Sequence, residues 1–187
     1  MGWLRKQEDV EPLPVAMTGV RLGDRLLAIG AADPPLVALL ARKTGLTGRV
    51  CLVDPDPTRA NHAAAAVERA GALVEPISAP WGDLPLDANS FDVAVARDAL
   101  LAMPPDVRAR CLADVFRVLR SGGRLVVIEP SGRAGGLTSL LSRKTAISTY
   151  SSGGATEALT AAGFAAVRVI AERDGILYVE AAKRTTT

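Results

Sequence analysis

Histidine and cysteine are close to absent: the chain has one His and two Cys in 187 residues. A zinc centre built from His and Cys ligands is therefore excluded as a reading. Cys51 lies inside an apolar run and Cys111 on the apolar face of a helical pattern. Both read as small buried hydrophobes rather than as a disulfide or a metal site. His62 sits in an Ala-rich helix with no acid and nucleophile arranged around it, so a surface helix position is expected. No apolar run approaches the roughly 18 residues of a membrane span, and no secretory apolar region follows Met1. A cytoplasmic protein without a membrane span is the expectation. Charge of one sign is also lacking, because the formal net charge is only +2 and the basic residues are scattered. That excludes the clustered basic face of a nucleic-acid binder. Aromatics make up only 4% of the chain while Ala is abundant, so the helices should pack closely.

Apolar residues are plentiful, at 49%, enough to bury a substantial core in one domain spanning residues 1–187. Arg25 to Pro57 is the most informative stretch. An apolar run, Leu26 to Ile29, breaks at Gly30. The small residues Ala31-Ala32-Asp33 follow, then an amphipathic segment from Pro34 to about Lys43, and a second apolar run, Val50 to Val53, ends on Asp54. Strand, turn, helix, strand and acid form half of a nucleotide-binding unit. In such a unit the ligand approaches the first turn and the next helix N-terminus, and the acid takes up ribose hydroxyls.

Residues 1 to about 22 read as a lead-in, in which Pro12 and Pro14 break any long helix. Asp33 fits an N-cap and Pro34 a first helical turn. A second helix is expected from about Pro57 to Ala70. Strand three, Leu73 to Ile77, contains Pro76 and belongs near the sheet edge. A loop carrying Trp81 precedes a nearly continuous apolar strand, Val93 to Ala96, suited to burial on both faces. A helix from Pro104 to Arg120 repeats Val107, Cys111, Leu112, Val115 and Leu119 at helical spacing, and Gly122-Gly123 is expected to end it. Strand five is Leu125 to Ile128. Residues 131–153 are rich in Ser, Gly and Thr, with a short helix expected around Leu137 to Lys144, and read as a lid. A helix from Ala155 to Ala162 leads to a hairpin, Ala166 to Glu172 and Ile176 to Ala182, turned at Arg173-Asp174-Gly175. The alternation predicts an α/β fold: a doubly wound, mostly parallel sheet with helices on both faces and one antiparallel strand.

Two blocks then add a resemblance. They read LPLDANSFDVAVARDALLAM and CLADVFRVLRSGGRLVVIEP. Phe91-Asp92 before one strand and Arg117 to Arg124 before the next are similar to a signature of class I S-adenosyl-L-methionine (SAM)-dependent methyltransferases. The likeness is to the small-molecule enzymes related to the menaquinone and ubiquinone C-methylases, and the closing AAGFAAVRVIAERDGILYVEAAK resembles their C-terminal end. It covers about residues 20 to 183 and implies a Rossmann-like, seven-stranded sheet with an antiparallel last strand. The glycine motif is degenerate. Gly30 keeps the family's first glycine, whereas Ala28 stands in the place of the acid and Ala32 and Pro34 in the places of the later glycines. Ala32 adds a methyl group where backbone should approach the ligand, and a left-handed conformation there would cost roughly 1 kcal/mol or more.

The resemblance implies SAM as cofactor and a site made of Gly30, Ala31, Ala32, Asp54, Pro55, Trp81 and Arg97. Asp54 matches the acid that binds the ribose hydroxyls, its other reading being a turn residue or helix N-cap in the run DPDP. Pro55 lies beside adenine in this scheme. Trp81 stacks on adenine or offers its backbone amide, or else it caps the core. Arg97 either meets the cofactor carboxylate or pairs with Asp98 at the surface. No catalytic triad or metal is needed, because methyl transfer from a sulfonium requires chiefly alignment. If the acceptor is a hydroxyl or amine, Asp98, Glu129 and Tyr150 are candidate bases by position. Arg143-Lys144 either favours an acidic substrate or is a solvated helix end. The implied function is methyl transfer to a small molecule. The alternative is a non-catalytic binding or partner protein of the same fold that has lost its cofactor. A nicotinamide-dependent oxidoreductase fits less well, since G-x-G-x-x-G is absent.

Overall fold

The computed structural model describes residues 11–131 and 153–184. In chain order the elements are α1 (Leu13–Thr18), β1 (Arg25–Ile29), α2 (Pro34–Thr44), β2 (Arg49–Val53), α3 (Pro57–Arg69), β3 (Glu75–Ile77), β4 (Phe91–Arg97), α4 (Pro105–Val118), β5 (Leu119–Pro130), α5 (Gly154–Ala161), β6 (Ala165–Arg173) and β7 (Ile176–Ala182). The strands form one sheet in the order β3-β2-β1-β4-β5-β7-β6. Neighbours are parallel from β3 through β5, and β7 lies antiparallel to both β5 and β6. The fold is therefore the α/β, doubly wound arrangement the sequence predicts.

Period-two alternation divides the central strands between two cores. Leu27 and Ile29 of β1, Cys51 and Val53 of β2, and Ala94 and Ala96 of β4 face a core shared with Cys111, Leu112 and Val115 of α4 and Leu159 of α5. Leu26 and Ala28, Val50 and Leu52, and Val93 and Val95 face the opposite core, shared with α1, α2 and α3. Burial on both faces explains why these strands read as unbroken apolar runs. Strand β3 is an edge, which accommodates Pro76 because only one side of the strand needs a ladder.

Three local expectations change. The lead-in contains the short helix α1, whose last turn is tied to the sheet by Arg124 Nε donating to the Thr18 carbonyl (3.2 Å). Helix α4 stops at Val118 rather than at the glycines, and Leu119 is already extended. Leu119 pairs with Phe91, and the register then shifts before Arg124 pairs with Val93. Gly122-Gly123 thus lies inside β5, where Gly122 has φ +74° and hydrogen bonds join both glycines to the Lys183 backbone (3.0 and 2.8 Å). A Cβ at Gly123 would stand 2.9 Å from the Arg120 carbonyl oxygen, so the glycine serves a close backbone approach. Finally, the hairpin loop is only Asp174-Gly175, both with positive φ, and Arg173 stays in β6. The stretch 132–152, including the expected helix, Arg143-Lys144 and Tyr150, lies outside the described residues, as does Trp3.

Candidate functional site

Strand order reverses between β1 and β4, since β1 leads by α2 to β2 on one side while β4 pairs on the other. Ligands of open α/β sheets bind beyond the C-terminal strand ends at such a switch point. The residues there are Gly30 after β1, Asp54 after β2, and Arg97 and Asp98 at the end of β4. Topology thus places Gly30, Asp54 and Arg97 of the sequence-derived set at neighbouring strand ends.

Asp54 is 3% exposed. Its Oδ2 accepts the Ala31 backbone N–H (3.1 Å), and its Oδ1 accepts the Asp56 N–H (2.9 Å). Arg59 also donates to Oδ1, from Nε (3.1 Å) and Nη2 (2.8 Å). The carboxylate therefore locks the turn after β1 to the end of β2. Its reading as the cap of the following helix does not hold: Asp56 is the N-cap of α3, accepting from Thr58 and Arg59 N–H.

The turn after β1 solves its geometry with one glycine. Gly30 has φ +83°, and its N–H donates to the Val53 carbonyl (2.8 Å). A Cβ at Gly30 would come within 2.9 Å of the Ala99 Cβ, so the turn passes close against the segment after β4. Ala32 is exposed and is not among the described residues with positive φ, so its methyl group carries no left-handed strain. The start of α2 is closed to ligands. Pro34 and Pro35 have no N–H, Asp33 Oδ1 takes the Leu36 N–H (3.0 Å), and Val37 N–H bonds back to Asp33 (3.1 Å). The usual anion site at a helix N-terminus is thus filled by the chain itself.

At the end of β4, Arg97 makes the pair with Asp98. Its Nε donates to Asp98 Oδ2 (3.1 Å) and lies 3.9 Å from Asp33 Oδ2. Asp98 has φ +56°, and its N–H donates to the Ile128 carbonyl (2.9 Å). Although 41% of the Asp98 side chain is exposed, Oδ1 itself is shut off from solvent and has no hydrogen-bond partner in the structure. A buried carboxylate oxygen without a donor is costly. Tyr178, which pairs in register with Ile128, is buried near this cluster. Burial pushes its phenol up, and the Arg97 charge opposes that shift.

Pro55 is exposed beside Asp54. Trp81 is half-buried against the core on the α4 side, the packing expected of a capping residue. Glu129 is buried at the end of β5 and is not without a partner. His62 is exposed, as expected. Cys51 and Cys111 are buried free thiols, and desolvation pushes both up to about 12. Among the described residues no group of three His, Cys, Asp or Glu could hold a metal ion, and no helix is long and apolar enough to cross a membrane. Sequence reasoning missed Arg59, Asp33 and Tyr178 as members of this region. For Arg59 the signal was present, because a cation five residues beyond the strand-end acid falls on the first turn of α3.

Comparison with known proteins agrees with this arrangement. A family model described as "Methyltransferase domain" matches residues 26–123, just over half of the chain. The ubiquinone/menaquinone biosynthesis C-methyltransferase UbiE of Salmonella arizonae is 32% identical over 114 residues, covering 60% of this chain and 45% of the relative. The chain therefore matches less than half the length of that protein. A SAM-dependent methyltransferase from Aquifex aeolicus superposes with a TM-score of 0.72 at 20% identity, covering 90% of this chain and 87% of the other. PigF, solved with SAH, gives a TM-score of 0.66 at 19% identity, covering 86% of this chain and 50% of PigF. With the strand order and the match across residues 26–123 in agreement, the chain belongs to the methyltransferase-domain family of class I SAM-dependent methyltransferases.

Proposed function

We propose that the protein is a SAM-dependent methyltransferase acting on a small-molecule acceptor. The observation that carries this reading is the buried Asp54 carboxylate, fixed at the end of β2 by the backbone of the turn after β1. In this reading Asp54 holds the ribose hydroxyls and Gly30 lets the chain pass beneath the cofactor without a side chain in the way. In the same reading Pro55 offers a flat face to adenine, and Trp81 is a second adenine contact. The Arg97–Asp98 pair suits a zwitterionic amino-acid end. Arg97 has N–H groups beyond Nε for a carboxylate, and the exposed side of the Asp98 carboxylate can accept from an ammonium. This pair would stand in for the acid absent at Ala28. The cofactor supplies an activated methyl group, while the chain's own residues hold and orient it for in-line displacement. The relatives named as methyltransferases support the reaction class, and the UbiE likeness supports a small-molecule acceptor.

Calorimetric titration with SAM and SAH tests the proposal. Micromolar binding is expected. Asp54→Asn should weaken it by about tenfold or more, the scale of a hydrogen bond to a charged group, while the melting temperature of the variant checks that the turn still folds. No binding by the wild-type protein at millimolar ligand would refute the enzymatic reading and leave a partner-protein role for the fold. Binding unchanged in Asp54→Asn would remove the ribose contact.

A further inference from the structure

One oxygen of Asp54 is fully engaged before any ligand arrives. Oδ1 carries three donors, from Asp56 N–H, Arg59 Nε and Arg59 Nη2, while Oδ2 carries only the Ala31 N–H. An ionised carboxylate has about four acceptor positions, two on each oxygen. A ribose diol gripped by both oxygens needs one position on each. Oδ2 has one to give and Oδ1 has none. The two backbone donors cannot leave without unmaking the turn and the entry to α3. Arg59 can leave, because its side chain is 62% exposed whereas that of Asp54 is 5% exposed. A second carboxylate waits beside it: Asp56 Oδ2 lies 3.7 Å from Arg59 Nε, and the capping contacts of Asp56 use its other oxygen.

From this geometry we infer that Arg59 is a displaceable plug on the ribose-binding carboxylate, so that cofactor binding is coupled to its transfer from Asp54 to Asp56. The inference rests on the ribose role proposed for Asp54. A binding-competent state populated only in part raises the apparent dissociation constant by that fraction. Removing the plug therefore strengthens binding, and screening it with salt does so in the wild type as well.

The probe is SAH, which carries no net charge at neutral pH and so responds little to salt on its own account. Its affinity is measured by calorimetry for the wild type, Arg59→Met and Arg59→Lys, from low to about 0.5 M salt, a range over which the screening length falls from tens of ångströms to a few. Arg59→Met is expected to bind SAH roughly three- to tenfold more tightly than the wild type at low salt, the scale of releasing a partly exposed ion pair. Arg59→Lys, which keeps the charge but loses the two-nitrogen fork, should fall between them. Wild-type affinity should rise with salt, and that of Arg59→Met should not. The wild-type salt series needs no variant and stands even if Arg59→Met folds poorly. Equal or weaker binding by a folded Arg59→Met, or wild-type affinity that falls with salt, overturns the plug and leaves the methyltransferase proposal intact. If neither wild type nor variant binds SAH, the methyltransferase proposal fails, and the plug fails with it.

Discussion

Placing a methyl group on Gly30 probes the site at its tightest point. Two separate penalties act on Gly30→Ala. Gly30 has φ +83°, and an L-residue held in left-handed backbone costs about 1–2 kcal/mol. The new Cβ would also stand 2.9 Å from the Ala99 Cβ, closer than carbon atoms settle, and overpacking of this kind costs about 1–3 kcal/mol. Against these, the loss of glycine's freedom in the unfolded chain returns about 0.4–1 kcal/mol. The net expectation is a loss of about 1–5 kcal/mol, centred near 3, or roughly 6–12 °C in melting temperature for the central value at about 2–4 °C per kcal/mol for a chain of this size. Ala99→Gly separates the two penalties because it removes the atom that is struck and leaves the backbone strain in place. Urea and thermal unfolding of the wild type, both single variants and Gly30→Ala/Ala99→Gly close a double-mutant cycle. A favourable coupling of about 1–3 kcal/mol between the two changes is expected. Additivity to within about 0.5 kcal/mol would show that the turn after β1 does not press on the segment after β4. A loss under about 0.5 kcal/mol for Gly30→Ala alone would refute the strain argument too.

Asp114 offers a test away from the site. Although it lies on the helix that carries the basic face, it is buried, accepting the Leu84 N–H (2.6 Å) and pairing with Arg117 (2.6 Å), which in turn donates to the Leu84 and Leu86 carbonyls. Asp114→Ala should cost about 2–3 kcal/mol by urea unfolding, the range for a hydrogen bond to a charged group left unmade, because half-exposed Arg117 can return its own charge to water. A cost below about 0.5 kcal/mol would contradict that assignment. The thiols give a third measurement. Cys51 and Cys111 are buried and pushed up to about 12, so a thiol reagent at pH 8 should label neither in the folded protein and both after unfolding. Rapid labelling of the native chain would contradict the packing of β2 or α4.

Much of this protein was determined by local pattern. Alternating strands and helices, a proline in the edge strand, an Asp-Gly hairpin and unbroken apolar runs specify a doubly wound sheet, since each follows from a period or a turn type carried by a few neighbouring residues. Gly30 and Asp54 were legible for the same reason, as they mark strand ends. Tertiary structure decided how those positions are used. Periodicity cannot tell that Arg59 folds back onto Asp54, or that Asp33 together with two prolines uses up the amides of α2, because each depends on where side chains meet once the elements dock. Likewise Gly122-Gly123 reads as a helix stop along the chain, yet it lies within β5 because Lys183, some sixty residues on, needs its backbone at that point. The free oxygen of Asp98 is of the same kind. It exists only because a left-handed residue at the end of β4 holds one carboxylate oxygen against Arg97 and turns the other into the fold.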